Sequence, residues 1–456
     1  TRYIGDWSSD VCSSDLLRQR MSQRCNFHEA GGGFSKMNTK AKAKTGSQIK
    51  VITGNAAAAI GAKLARPDVV AAYPITPQTE IIEQISKFHA NGEMDCELIT
   101  VEGENSAMNA VMAASLAGGR VFTASSSWGL VFMYDAILAT AGARAPVVMV
   151  NVNRETPGII AVSCGQQDMI STRDAGWIFL IAETCQEVLD IVVQAYRLAE
   201  DYDIQVPVMV HYDGFYLSYL SEVVDVPLQE DVDKFLSVLK DQPERTKLVP
   251  GGRLGCGTHG ILGGYLELRH KHMSAMERSK AKFEEIDKEF EAIFGRSHGG
   301  QIEKYRMDDA DVVLVGSGSM CGTIKAVIDE KRDSGVKVGL LKIRMYRPFP
   351  SEVMVEVLKG KKAIGVVDRS LCFGFKGGPM YTELKAFETQ LGGSKMISFI
   401  DGIANTDITQ ANVEQMIDTT CDLAAGKDVR EVTWVSYPEA NEPDSAKLDS
   451  EKRGGQ

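Results

Sequence analysis

Gln186–Glu200, QEVLDIVVQAYRLAE, followed by Val206–Tyr212, VPVMVHY, decides the fold class. The first segment repeats apolar residues every three or four positions, so it predicts a helix with one core-facing side. The second is an unbroken apolar run, which suits a strand covered on both faces in a parallel sheet. The same alternation extends back towards the N-terminus. Strands are predicted at Ile49–Thr53, Leu98–Val101, Arg120–Ala124 and Pro146–Val150, and helices at Gly54–Leu64, Asn105–Leu116 and Leu130–Thr140. Continuous apolar strands separated by helices predict a doubly wound α/β domain over residues 37–227.

Beyond Pro227 the pattern changes. Pro243, Pro250 and the glycine-rich run Gly251–Gly264 read as a linker. Ser274–Phe294 then places Met276, Phe283, Ile286, Phe290 and Ile293 on one side of a helix, expected as a strut within a 228–305 linker. A second βαβ series, residues 306–429, follows with strands at Asp311–Val315, Lys337–Ile343, Ala363–Val367 and Met396–Ile400, ending in the helix Gln410–Ala425. The fold expected is therefore two doubly wound parallel-sheet domains joined by a linker and helix, with a disordered tail over 430–456.

The 456 residues carry 50 Lys+Arg against 61 Asp+Glu, a net charge of −11. A surface this acidic lacks the basic stripe that nucleic acid requires. The most apolar stretch, Gly129–Val152, is interrupted by Asp135, Arg144 and Pro146, so no membrane span is expected. Nine cysteines occur without one Cys-x-x-Cys pair, which argues against a cluster cradle or zinc knuckle and for a reducing, cytoplasmic compartment. Residues 1–36 are expected to be a leader outside the fold. Asp6–Leu16, DWSSDVCSSDL, back-translates into a sequencing-library adapter, and the natural start is placed near Met37.

Three loops lie at predicted strand ends, where open α/β sheets bind ligands. Tyr73–Glu80, YPITPQTE, holds Thr76 between two prolines; the plainer reading is a helix cap supplied by Thr76 or Thr79. Val101–Ser106, VEGENS, sets Glu102 and Glu104 at a helix start, where acids are favoured electrostatically. The chemical alternative is that one of them is buried beside Ala107, Ala110 and Ala113 as a proton partner. Arg154 follows a buried strand, where it is either a carboxylate clamp or a rim residue.

Two further patterns are weaker. Gly316-Ser-Gly-Ser-Met-Cys-Gly322 follows a strand as a dinucleotide fingerprint would, but its spacing is GxGxxxG and the next strand ends at Arg344 instead of an acid. Cys256, His259, His270 and His272 have no recognised zinc spacing.

YPITP, VEGENSAMNAV, AGGRVFTASSSWGL, VNVNR and QQDMISTRDAGW together resemble the alpha subunit of 2-oxoacid:ferredoxin oxidoreductases of the pyruvate type. The likeness continues through IFGRSHGGQIEKYRM, KIRMYRPFP and VVDRS…FGFKGG, so it spans about 48–425. The resemblance implies a thiamine-diphosphate pyrimidine-binding domain followed by a transketolase-C-like domain. It implies oxidative decarboxylation of pyruvate or a related 2-oxoacid to acyl-coenzyme A, with electrons passed to ferredoxin. Beta, gamma and delta-type partner subunits would hold Mg²⁺ at the diphosphate site and the 4Fe–4S clusters.

Residue by residue, the resemblance makes Glu104 the acid that hydrogen-bonds the aminopyrimidine and helps move its proton, with Glu102 the neighbour that does not. Tyr73, Pro74 and Ile75 would line the cofactor, and Thr76 and Arg154 would hold the substrate carboxylate. One departure stands out: Glu155 follows Arg154, where pyruvate-type relatives carry a small apolar run. A charge there keeps branched-chain and aryl 2-oxoacids, such as phenylglyoxylate, open as substrates. The rivals of another class are a non-catalytic scaffold subunit and a dehydrogenase using GSGSMCG.

Overall fold

The computed structural model describes residues 47–156, 161–241, 247–248 and 264–441. The expected leader over 1–36, Cys256 and His259 lie outside the described residues. Among those described, three sheets form.

The larger sheet has seven strands in the order Met345–Arg347, Ile178–Ile181, Val208–Asp213, Val148–Asn153, Val121–Ser125, Val69–Ala72, Glu97–Thr100. Six of them are parallel, as the continuous apolar runs require, and Val148–Asn153 and Val208–Asp213 are buried along their whole length. Strand Val69–Ala72 lies between Glu97–Thr100 and Val121–Ser125, so the chain runs out one way and returns on the other side. This reversal opens a crevice at the carboxyl ends of Val69–Ala72 and Val121–Ser125.

The seventh strand, Met345–Arg347, pairs antiparallel with Ile178–Ile181 although it belongs to the second βαβ series. That second sheet has six strands, ordered Val432–Trp434, Lys395–Ile400, Ala363–Asp368, Val312–Gly316, Val338–Ile343, Ile302–Tyr305, with only the last antiparallel.

Four expectations change. Ile49–Thr53 does not enter the parallel sheet; Gln48–Thr53 pairs antiparallel with Ser221–Val226 in a separate ribbon, leaving Ile49 and Val51 exposed. The expected helix Leu130–Thr140 is two helices, Ser127–Phe132 and Tyr134–Gly142, broken where Met133 leaves helical geometry. The tail is ordered as far as Asn441, because Val432–Trp434 extends the second sheet and the Asn441 amide ties both the N–H and the carbonyl of Trp434. The amphipathic helix is longer than expected, Tyr265–Phe294, and is packed instead of standing as a strut. Phe283, Ile286 and Phe290 are buried, Phe290 meets Phe235 edge-on, and Asp287 accepts from Gln194 of the helix Cys185–Ala199 at 3.1 Å.

The glycine-rich turn after Val312–Gly316 fastens the two sheets together. Asp213, at the end of its strand, accepts from the Ser319 N–H at 2.8 Å, from Ser319 Oγ at 2.7 Å and from Arg369 Nη1 at 3.0 Å. Gly318 has φ +72°, and a Cβ there would stand 2.7 Å from Asp213 Oδ2. The turn that resembles a dinucleotide fingerprint therefore already grips an anion, and that anion is a side chain of this chain. His272 bonds the Gly176 carbonyl at 2.8 Å.

Candidate active site

Every candidate residue lies at the carboxyl edge of the seven-stranded sheet. Glu104 begins the helix Glu104–Leu116 directly after Gly103, and only 8% of it is exposed. Its carboxylate has no hydrogen-bond or ion-pair partner among the described residues. Gly129, in the helix Ser127–Phe132, packs over it: a Cβ there would stand 2.6 Å from Glu104 Oε1. Ser125 Oγ meets the same point and is buried without a partner. Glu102 differs from Glu104 in every respect. It is exposed, accepts from Ser106 Oγ at 2.6 Å, and that bond holds its carboxyl below the usual range.

Tyr73, Pro74 and Thr76 are exposed and Ile75 is half-buried, so the loop offers its surface to the crevice. Neither threonine caps the following helix, Thr79–Ala90. Its cap position is Gln78, which is buried and whose Oε1 accepts from the Ile75 N–H at 3.2 Å. Arg154 is drawn to this loop, with Nη1 donating to the Thr76 carbonyl at 3.0 Å and Nε to the Ala161 carbonyl at 3.0 Å. Thr76 and Arg154 are thus neighbours.

Glu155 follows Arg154 directly in the chain. Its carboxyl packs against Gly165, where burial pushes it up to about 6.

One buried acid beside these residues escaped the sequence reading. Asp168 is fully buried, and its Oδ2 accepts from the Ser127 N–H and the Arg154 N–H, each at 3.1 Å, and from Asn151 Nδ2 at 3.0 Å. Burial pushes this carboxyl up to about 7 in spite of those donors. Behind it His211, pushed down to about 3 by burial, stays neutral beside Asn151 and Asn153. The available signal was an acid within QQDMISTRDAGW, in the first turn of the short helix Gln167–Thr172.

An acid with no internal partner, held against glycine and a partnerless hydroxyl, fits one edge of a flat nitrogen heterocycle. An arginine beside a hydroxyl fits a small carboxylate. Residues 60–288 match the thiamine-diphosphate-binding domain of pyruvate flavodoxin/ferredoxin oxidoreductases, and residues 310–413 match core domain II of pyruvate:ferredoxin oxidoreductases. A pyruvate synthase subunit PorA from Methanothermobacter thermautotrophicus is 43% identical over 86% of this chain and 100% of its own length. The alpha subunit of an NADH-dependent phenylglyoxylate dehydrogenase from Aromatoleum evansii is 38% identical over 85% of this chain and 94% of its own. A 2-oxoglutarate:ferredoxin oxidoreductase from Magnetococcus marinus shares the fold at 20% identity, with a TM-score of 0.62 over 82% of this chain and 65% of that longer one. The chain belongs to the pyruvate flavodoxin/ferredoxin oxidoreductase family.

Proposed function

We propose that this chain is the alpha subunit of a thiamine-diphosphate-dependent 2-oxoacid:ferredoxin oxidoreductase, with pyruvate as substrate and coenzyme A as acyl acceptor. The partnerless, nearly buried carboxylate of Glu104 carries the reading. When bound, thiamine diphosphate supplies the nucleophilic carbon and the electron sink for decarboxylation. Glu104 would share a proton with the pyrimidine edge, Tyr73, Pro74 and Ile75 would line the ring, and Arg154 with Thr76 would fix the substrate carboxylate.

Partner subunits complete the enzyme in this reading. The helix beside Glu104 leaves Trp128 46% and Phe132 64% exposed, an apolar face suited to a beta subunit that brings the diphosphate and Mg²⁺. With no Cys-x-x-Cys in the chain, the 4Fe–4S clusters are assigned to gamma and delta-type subunits, which pass electrons to ferredoxin. No described helix is long and apolar enough to cross a membrane, and the described cysteines are free thiols, which supports a cytoplasmic setting. The packing of the Glu155 carboxyl against Gly165 engages it within the chain, which supports the smaller substrate, pyruvate, over an aryl or branched-chain one.

The test is Glu104→Gln in the reconstituted complex. An amide cannot share the proton, so turnover should fall by about 10²–10⁴ while assembly persists. Near-normal exchange of the cofactor C2 proton in that variant would remove Glu104 from the role, and damage by Glu102→Gln instead would transfer it.

A further inference from the structure

Three backbone segments meet at Asp168, and two of them face the reaction. The Ser127 N–H opens the helix whose Gly129 covers Glu104, and the Arg154 N–H begins the segment that carries the substrate clamp. Both donate to the same oxygen, Asp168 Oδ2. The other oxygen is engaged by the Met169 N–H at 2.7 Å, which fixes the carboxylate plane. A second tie runs in parallel, from Ser127 Oγ to the Glu155 carbonyl. Ser127 has φ +42°, a left-handed conformation unfavourable for a residue with a Cβ. Strain of this kind persists only where its surroundings over-determine it. Here the surroundings are Asp168 on the main chain and Glu155 on the side chain.

We propose that Asp168 is a positioning residue for the reaction: its carboxylate locks the helix start that walls Glu104 to the strand end that carries Arg154, and so sets the spacing between cofactor and substrate. The proposal rests on Glu104 and Arg154 having the roles given above. Without the carboxylate, the Ser127 and Arg154 N–H groups both lose their acceptor, and the strained turn is free to relax. A shift of about 1 Å at the clamp is enough to cost roughly a hundredfold in rate.

Asp168→Asn isolates the effect, because it keeps shape and volume. Its single amide oxygen cannot serve both the Ser127/Arg154 side and the Met169 side, so an NH₂ must confront an N–H. In the complex reconstituted with its partner subunits and assayed at about pH 8, where Asp168 is ionised, Asp168→Asn should raise the pyruvate KM about tenfold or more, with thiamine diphosphate affinity within about threefold of wild type. Asp368→Asn is the control. Asp368 is equally buried, but among the described residues its carboxyl ties only the Met380 and Tyr381 N–H groups of the second sheet's domain, so the variant should lower the melting temperature and leave KM unchanged.

If Asp168→Asn fails to assemble, Ser127→Ala removes only the parallel tie and should raise KM by a smaller factor with cofactor affinity intact. Unchanged KM in every variant that assembles overturns the proposal. Arg154→Ala separates the two levels: if it too leaves KM unchanged, the assignment of the clamp fails; if it alone is harmful, the positioning role fails.

Discussion

Arg154 engages Thr76 through the carbonyl and not through the hydroxyl, which leaves the Thr76 side chain exposed to the crevice. In the roles proposed for them, the two residues should therefore make separable contributions. Arg154→Lys should already be harmful, because a point-charge ammonium cannot bond Thr76 and Ala161 and also present a planar fork. A hydrogen bond to a charged group is worth roughly 1.5–3 kcal/mol, so Arg154→Ala should lower kcat/KM about ten- to a hundredfold. Thr76→Val, which deletes one hydroxyl at similar volume, should cost less. Steady-state kinetics with pyruvate, 2-oxoisovalerate and phenylglyoxylate check this, and a loss of cofactor affinity at constant KM would reassign the loop to the cofactor. At this scale much was legible. VEGENS marked two acids, and the phase of the helix after Gly103 buries the second and exposes the first. Asp168 was not legible, because its meaning lies in two distant N–H groups that only the folded backbone brings together.

Among elements, the long buried strands announced themselves through apolar continuity, whereas Val69–Ala72, Ile178–Ile181 and Met345–Arg347 were too short to show a period. Met345–Arg347 in particular takes its place from pairing with a different sheet, which no local pattern encodes. A buried charge network lies immediately before it in the chain. Lys342 lies 2.6 Å from Glu183, 3.1 Å from Glu187 and 2.6 Å from Glu303, and Arg344 lies 2.5 Å from Glu187. Lys342 is only 3% exposed and Glu187 1%, so a lost partner leaves a charge that is nearly buried. Removing one member of a buried ion pair costs about 3–5 kcal/mol, because the other charge stays buried and uncompensated. Lys342→Met should therefore lower the unfolding free energy by about that amount in urea titration. A loss under about 1 kcal/mol would show that the network is solvated.

The whole molecule sorts its buried carboxyls into two classes with opposite responses to pH. Burial alone would raise Glu187 and Asp190, but Lys342 and Arg344 outweigh it for Glu187, and Arg296 and His298 for Asp190. Carboxyls held low stabilise the fold above their unfolded values near about 4, and that stability is lost as pH falls. Among the described residues Asp168 and Asp368 have no ion-pair partner, and burial pushes each up to about 7, with Glu155 pushed up to about 6. A raised carboxyl keeps its proton in the folded chain after the unfolded chain has lost it. Its contribution is complete below about pH 4 and declines as pH rises towards 7. The two limbs meet at mildly acidic pH, so urea midpoints should rise from pH 3 to about 5 and then fall between about 5 and 8. Asp368→Asn cannot titrate, and it should flatten the upper limb without altering the lower one. Midpoints that hold steady or climb from pH 5 to 8 in the wild-type chain would mean that Asp168 and Asp368 are already ionised in the fold.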